Sequence, residues 1–401
     1  MFAHPDSWPE PSTGSDPWTL LSHAAVTPPE GSVPIAPPLY QTAAFSAEDA
    51  EGFARMATTP MHEGFYTRYG NPTTRALERA VAALEGSTAA VATASGMGAI
   101  TAVLLAFAGA GDHVVAQRLL YGGTTGLLTR LAPRLGITVD LVDQDDTAAF
   151  ARAARPNTKL ILLESPSNPL LRLTDLAGVA AFARDRGIVT MIDNTIATPL
   201  NQRPLGFGID LVMHSATKYL SGHGDVSAGI VTGRADLVER VWHEAHLLGA
   251  TPDPFASWLV LRGLRTLPMR VARQNATALA VARHLAAHPR ITAVHYPGLD
   301  GHPQRDLARR QMPEGAGGLL SFEVAGGLDA AEAMMSRLRL IRRSASFGTP
   351  MTVAVHPAAM WSAMMTPDQL TLTGLPAGLI RLGLGFEDPA AIIADLDAAL
   401  G

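Results

Sequence analysis

Lys218 is one of only two lysines in a chain of 401 residues; the other, Lys159, opens an apolar, strand-like run. Arginine carries the rest of the side-chain positive charge, and arginine does not readily give up its proton. A lysine can, and it then acts as an amine nucleophile. Lys218 sits inside DLVMHSATKYLSGHGDV, residues 210–226, a turn rich in Ser, Thr, His and Gly. That setting marks it as a candidate covalent site, with a solvated loop lysine as the plainer alternative.

Other polar residues stand at comparable places, each group just after a short apolar run. Ala94, Ser95, Gly96, Met97 and Gly98 lead into a helical pattern at 99–108. A helix start offers free backbone N–H groups to a phosphate, and glycine allows close approach; a tight turn without a ligand fits the same residues. Glu164, Ser165, Ser167 and Asn168 follow one run, Asp193, Asn194 and Thr195 another, and His214, Ser215, Thr217 and Lys218 a third. Singly, each could cap a helix or satisfy a turn. As a set they offer an acid, a carboxamide, hydroxyls and an amine to one ligand. A lysine amine forms a Schiff base with an aldehyde. A buried carboxylate holds a pyridine nitrogen protonated, and hydroxyls with helix N–H groups hold a phosphate. Together these describe pyridoxal 5′-phosphate. Its strength as an electron sink depends on Asp193 keeping the ring cationic.

The elements that must place these groups are strands and helices in alternation. Strands are expected at 88–93, 113–117, 138–142, 160–164, 188–193, 210–214 and 228–232. Several are near-continuously apolar, as strands buried on both faces are. Helical patterns lie between, such as 174–184 with Thr174 as N-cap and 74–84 stopped by Gly86. This predicts an α/β fold whose mostly parallel sheet is covered on both sides and binds ligands beyond the carboxyl ends of its strands. Helical segments at 237–247 and 255–286 lead to a smaller α+β part. Its strands are expected at 291–295, 318–324 and 379–383, its helices at 329–338 and 389–400, with a loop at 344–357. The expected division is a leader and arm over 1–63, a large cofactor-binding domain over 64–260 and a C-terminal α+β domain over 261–401. Residues 1–20 read as a flexible leader. Pro28, Pro29, Pro34, Pro37 and Pro38 read as an extended arm that anchors on a partner subunit or wraps its own domain.

Composition narrows the functional classes. At 47% hydrophobic and 17% charged residues, the chain can bury a sizeable core and form more than one domain. A formal net charge of -5 argues against a dominant nucleic-acid or anionic-membrane role. With no cysteine there is no disulfide, thiolate ligand or cysteine nucleophile. Apolar runs such as 99–108 are too short to span a bilayer and the first residues lack a secretory pattern, so a cytoplasmic protein is expected. The 13 histidines include no pair with ligand spacing beside an acid. His214, His223 and His243 are therefore expected to pack or hydrogen-bond, and no metal is expected.

Read in series, YTRYGNPT, SGMGAI, GDHVV, YGGT, ESPSNP, DNTIATP, QRPL, HSATKYLSGHGDV, RGLRTL and IRLGLGFED resemble one family. It is the cystathionine gamma-synthase/gamma-lyase (trans-sulfuration) family of pyridoxal-phosphate enzymes, and the resemblance runs from about residue 20 to the end. It implies fold type I, aspartate-aminotransferase-like, with a seven-stranded sheet domain. It implies that Lys218 carries the cofactor, that Asp193 meets the pyridine nitrogen with Thr195 beside it, and that Gly96, Met97, Ser215 and Thr217 hold the phosphate. Tyr66 and Arg68 would complete the phosphate site of a neighbouring subunit. A dimer is then the smallest active unit, and a homotetramer, as a dimer of dimers, the expected assembly. Tyr121 is implied as the ring that stacks on the cofactor and takes part in proton transfer. Asn168 and Arg381 would bind the substrate's α-carboxylate, with Ser346 nearby.

The chain departs from that pattern on one side. Ala345 stands where the family's synthases and γ-lyases commonly carry glutamate, and Gly123 where its methionine γ-lyases usually carry cysteine. Pro350 and Met351 make the wall after Ser346 less polar, and Trp361 replaces a common histidine. The expected activity is γ-replacement or γ-elimination on an activated homoserine or related C4 amino acid, with sulfide, a thiol or another nucleophile. A cystathionine or methionine γ-lyase is the alternative within this class. A non-catalytic scaffold of the same fold is the alternative outside it.

Overall fold

The computed structural model describes residues 16, 19, 34–362 and 374–401. Its first sheet has seven strands: β1 (Ala89–Thr93), β2 (His113–Gln117), β3 (Thr138–Val142), β4 (Thr158–Glu164), β5 (Val189–Asp193), β6 (Leu211–His214) and β7 (Gly229–Gly233). They lie in the order β1-β7-β6-β5-β4-β2-β3. Pairing from β3 through β6 is parallel, while β7 runs antiparallel to both β1 and β6. Every expected strand of this sheet is present.

Alternation of side chains explains why these runs are so apolar. Leu160 and Leu162 of β4 join one core with Ile100, Val103, Leu104, Val241 and Trp242. Ile161 and Leu163 join another with Phe150, Val179, Ile192 and Val212. Successive side chains face opposite sides, so a strand covered on both must be apolar throughout. Each such Leu or Ile contributes about 1.5–3 kcal/mol when fully buried. The covering helices have local starts and stops. Gly96–Phe107 begins where Ser95 Oγ accepts from Gly98 N–H at 3.0 Å. Pro72–Glu85 is capped by Asn71 and ends at Gly86, whose φ of 72° suits glycine.

A second sheet contains β8 (Ile291–His295), β9 (Leu319–Val324), β10 (Arg342–Arg343), β11 (Val353–Val355) and β12 (Leu379–Gly383), in the order β10-β11-β12-β9-β8. One core, including Leu77, Leu264, Val271, Phe322, Phe347 and Ile380, runs from the helix Pro72–Glu85 to this sheet.

Three local expectations change, and one helix appears that was not expected. Asp175, not Thr174, caps the helix Leu176–Asp185; Thr174 is buried and its N–H donates to Ser165 Oγ. The segment 255–286 is two helices, Pro254–Leu264 and Leu267–Ala287, because Thr266 leaves helical geometry and Pro268 sits in the second helix's first turn. The loop at 344–357 contains β11, too short to show alternation. The helix Ala50–Thr58, in the span read as an arm, has no residue buried within the chain, and its Phe53 is 50% exposed. Pro28, Pro29 and all but residues 16 and 19 of the leader lie outside the described residues. Pro37 O accepts from Trp258 Nε1 at 2.8 Å, which lays this part of the arm on the chain's own helix. Among the described residues, no helix is long and apolar enough to cross a membrane.

Arg270 anchors the chain just after Lys218. It is buried, and donates to Tyr219 O at 2.7 Å, Leu220 O at 3.3 Å and Gly263 O at 2.7 Å, with Nε on Thr266 Oγ1 at 3.0 Å. Burial lowers its pKa to about 10, so the guanidinium stays charged at neutral pH. Arg270→Ala orphans these carbonyls and should cost on the order of 3 kcal/mol in denaturant unfolding. A loss below roughly 0.5 kcal/mol would show that the carbonyls do not depend on Arg270.

Candidate active site

Glu164 and Asp193 close β4 and β5 as register partners, so their side chains leave the sheet on the same face. Asp193 Oδ1 accepts from Thr195 N–H at 3.0 Å and from the Thr195 hydroxyl, whose oxygen accepts from Ser215 N–H at 2.8 Å. These bonds tie the end of β5 to the turn that carries Lys218. Burial raises the Asp193 pKa; the Thr195 bonds and the charges of His214 and Lys218 oppose it. Burial also pushes Glu164 up to about 8, and the neighbouring Asp193 adds to the rise.

Lys218 N–H donates to Ser215 O at 3.1 Å, which turns the chain tightly after β6. Burial lowers the pKa of its amine, and the Arg381 charge lowers it further against the pull of Asp193. The loop after β10 closes on this turn. A Cβ at Gly348 would stand 2.8 Å from Tyr219 N and 3.0 Å from Lys218 C, and its φ is 71°, so glycine permits the approach. The closure sets the Phe347 ring 5.7 Å from Lys218 Nζ and 5.5 Å from Arg381 Cζ. Phe347 is invisible to sequence reading, because a lone aromatic in a loop carries no spacing signal.

Arg381 projects from β12 and is 6% exposed. Its Nη1 donates to Asn168 Oδ1 at 3.1 Å, and its Nη2 to the carbonyls of Ala345 and Ser346, both at 3.2 Å. Its Nε has no partner, and no acid forms an ion pair with it among the described residues. Burial lowers its pKa to about 10, with Tyr219 and Glu164 opposing. A fixed guanidinium with an open donor is a receptor for a carboxylate.

At the start of the helix Gly96–Phe107, Ser95 satisfies Gly98, which leaves the Gly96 and Met97 N–H groups without intrahelical acceptors. A Cβ on Gly96 would come within 3.0 Å of Ser215 Cβ and 3.2 Å of its Oγ, so the missing side chain keeps that cradle open. Thr217 is nearby in sequence, but its hydroxyl donates to Ala228 O at 3.1 Å and accepts from Ala228 N–H at 3.0 Å. A Cβ at Gly123 would stand 2.5 Å from Tyr121 Cε1 and 2.8 Å from Met97 Sδ, so Tyr121 and Met97 converge there. Tyr121 is 50% exposed.

Tyr66 and Arg68 do not join this group within the chain. Arg68 lies over the Tyr69 ring at 4.8 Å and donates to His246 O at 3.1 Å, and Tyr66 is 40% exposed. His214 pairs with the buried Glu85 at 2.6 Å, and His223 Nδ1 contacts Ser221 O at 2.6 Å. Glu164 and Phe347 are the neighbours that the residue-by-residue reading assigned no role.

The group fits pyridoxal phosphate: a half-buried amine of lowered pKa, a half-buried acid, and an open cradle of helix N–H groups beside a serine. A profile of the family described as Cys/Met metabolism PLP-dependent enzyme matches residues 19–401. The L-methionine gamma-lyase of Pseudomonas putida is 41% identical over 384 residues, 95% of this chain and 96% of that protein. The O-succinylhomoserine sulfhydrylase of Pseudomonas aeruginosa is 40% identical over 362 residues, 90% of each chain. The crystal structure of cystathionine gamma synthase from Xanthomonas oryzae pv. oryzae, in complex with aminoacrylate and cysteine, superposes with a TM-score of 0.90. It is 38% identical, and the match covers 96% of this chain and 98% of that one.

The lowered pKa of Lys218 has a direct readout. In cofactor-free protein, acylation of Lys218 followed by peptide mass spectrometry should show a pH midpoint below the ordinary lysine value of about 10.4. A midpoint at or above that value contradicts the electrostatic account of the site.

Proposed function

We propose, given that this chain belongs to the Cys/Met metabolism family of pyridoxal-phosphate-dependent enzymes, that it replaces or eliminates the γ-substituent of an activated homoserine or a related C4 amino acid. The observation that carries this reading is Arg381, a buried carboxylate receptor set across Phe347 from a half-buried lysine amine. Lys218 would hold the cofactor, with Asp193 at the pyridine nitrogen and Thr195 orienting Asp193. Gly96, Met97, Ser215 and Thr217 would hold the phosphate, Thr217 after its hydroxyl turns from Ala228, and Tyr121 would cover the ring. When bound, pyridoxal phosphate supplies a conjugated cationic ring that accepts the electron pair released at the substrate's α-carbon.

Arg381 and Asn168, with Ser346 beside them, fix the α-carboxylate and so aim the α-hydrogen. The Lys218 amine takes that proton as general base, helped by its lowered pKa. Having passed that proton on to the bound cofactor, the same amine, neutral again, would take a proton from the β-carbon. The γ-substituent then leaves with its bonding electrons. Addition of a nucleophile at the γ-carbon, with return of the protons, gives replacement. Hydrolysis instead gives a 2-oxo acid and ammonia. Tyr66 and Arg68 serve a neighbouring subunit in this reading; within their own chain they contact Tyr69 and His246. The expected assembly is a cytoplasmic homotetramer built as a dimer of dimers.

The loop that meets the carboxylate receptor favours a leaving group without its own ammonium. Ala345, Pro350 and Met351 carry no charge, and Met351 is 57% exposed. A second reading, elimination from methionine, is supported by the 41% identity to a methionine γ-lyase. The same apolar loop accepts a thioether.

A panel separates these readings: O-acetyl-, O-succinyl- and O-phosphohomoserine with sulfide or cysteine, against cystathionine and methionine alone. Replacement on an activated ester is the expected result; turnover of the thioethers alone sinks it. Arg381→Lys loses the fork geometry, and should raise KM for the amino acid by about 10-fold or more while cofactor uptake persists. An unchanged KM would remove Arg381 from the carboxylate site.

A further inference from the structure

Glu164 joins two loops that the proposed reaction needs held together. Its Oε2 accepts from Tyr121 N–H at 2.7 Å, and its Oε1 from Asn168 N–H at 2.8 Å. Tyr121 opens the short helix Gly122–Gly126 after β2, and Asn168 lies in the turn after β4. Asn168 Oδ1 in turn accepts from Arg381 Nη1 of the second sheet at 3.1 Å. One carboxylate therefore lies on an unbroken chain from Tyr121 to Arg381.

The main chain of Glu164 is pinned as well. Its N–H donates to Gln117 Oε1 at 2.9 Å, and its carbonyl accepts from Gln117 Nε2 at 2.7 Å. The side chain thus starts from a fixed base at the end of a central strand. It is 4% exposed and stands beside Asp193, a half-buried carboxylate. A charge placed there is costly, and a glutamine could accept from one loop without it. Two oxygens aimed at two N–H groups are what a carboxyl group adds over an amide, whose NH2 accepts nothing. The Tyr121 ring is half exposed, so its backbone bond matters for its placement.

We propose that Glu164 is a positioning residue that sets Tyr121 over the cofactor and Asn168 with Arg381 at the substrate carboxylate, in one coupled arrangement. This rests on the roles proposed above for Tyr121, Asn168 and Arg381. Glu164 acts through the backbones of Tyr121 and Asn168, reaches Arg381 only by way of Asn168, and touches no reacting atom.

The test is Glu164→Gln in the holoenzyme. Its amide has one acceptor oxygen and presents an NH2 group to the other N–H, so one loop is released. At equal cofactor occupancy, measured after alkaline release, two readouts separate the arms. Release of Tyr121 lowers the visible circular dichroism of the bound cofactor by about half or more. Release of Asn168 raises KM for the amino acid about 10-fold, with a smaller change in kcat. At least one shift is expected; both values within twofold of wild type overturn the proposal. If the variant fails to fold or to load cofactor, a crystal structure of wild-type holoenzyme decides. Both Glu164 contacts within hydrogen-bond distance support the proposal, and loss of either overturns it. The dichroism needs no turnover, so it stands even if no γ-substituted amino acid proves to be a substrate.

Discussion

Two acids and two bases share one buried space beyond the ends of β4, β5 and β6, and the site depends on how that charge is balanced. Burial is the largest cause of all four shifts, upward for Glu164 and Asp193 and downward for Lys218 and Arg381. Each is moved toward its neutral form because low dielectric penalises charge. For Lys218 this is productive, since the neutral amine is the nucleophile and the base. Arg381 stays charged at neutral pH, and its buried Nε has no hydrogen-bond partner among the described residues. A ligand with a cationic ring and an anionic carboxylate satisfies Asp193 at one end and Arg381 at the other.

The first sheet holds these groups because its parallel strands end together. Coating both faces fixes the strands, and the Thr195 bridge fixes Asp193 against the Ser215 turn. The second sheet contributes Arg381 and the loop that reaches Lys218 through Gly348. Arg381 and the lysine turn are thus coupled mechanically. Ala345, Pro350 and Met351, where the family resemblance implies other residues, lie on that same loop. They are far in sequence from Gly96 and Ser215.

Much of this was legible in the sequence, for a physical reason. Buried parallel strands must be apolar throughout, so the polar residues that end them stand out: Asp193, Asn168, Ser215 and Lys218. Arg381 carried no such mark and was assigned only through the family resemblance, because its bond to Asn168 spans 213 positions. Phe347, Arg270 and the double bond of Glu164 were not legible either, since each acts through contacts that only the assembled fold creates. The Thr174 cap failed on a local contest: two capping residues stand side by side, and Ser165 claims the N–H of the first.

The central claim is that Lys218 carries the cofactor. Borohydride reduction of protein loaded with pyridoxal phosphate, followed by peptide mass spectrometry, tests it most directly. The account predicts a single reduced pyridoxyl adduct on the peptide that contains Lys218 and none on the peptide that contains Lys159. An adduct on Lys159 alone, or none on either peptide at full cofactor loading, would contradict it.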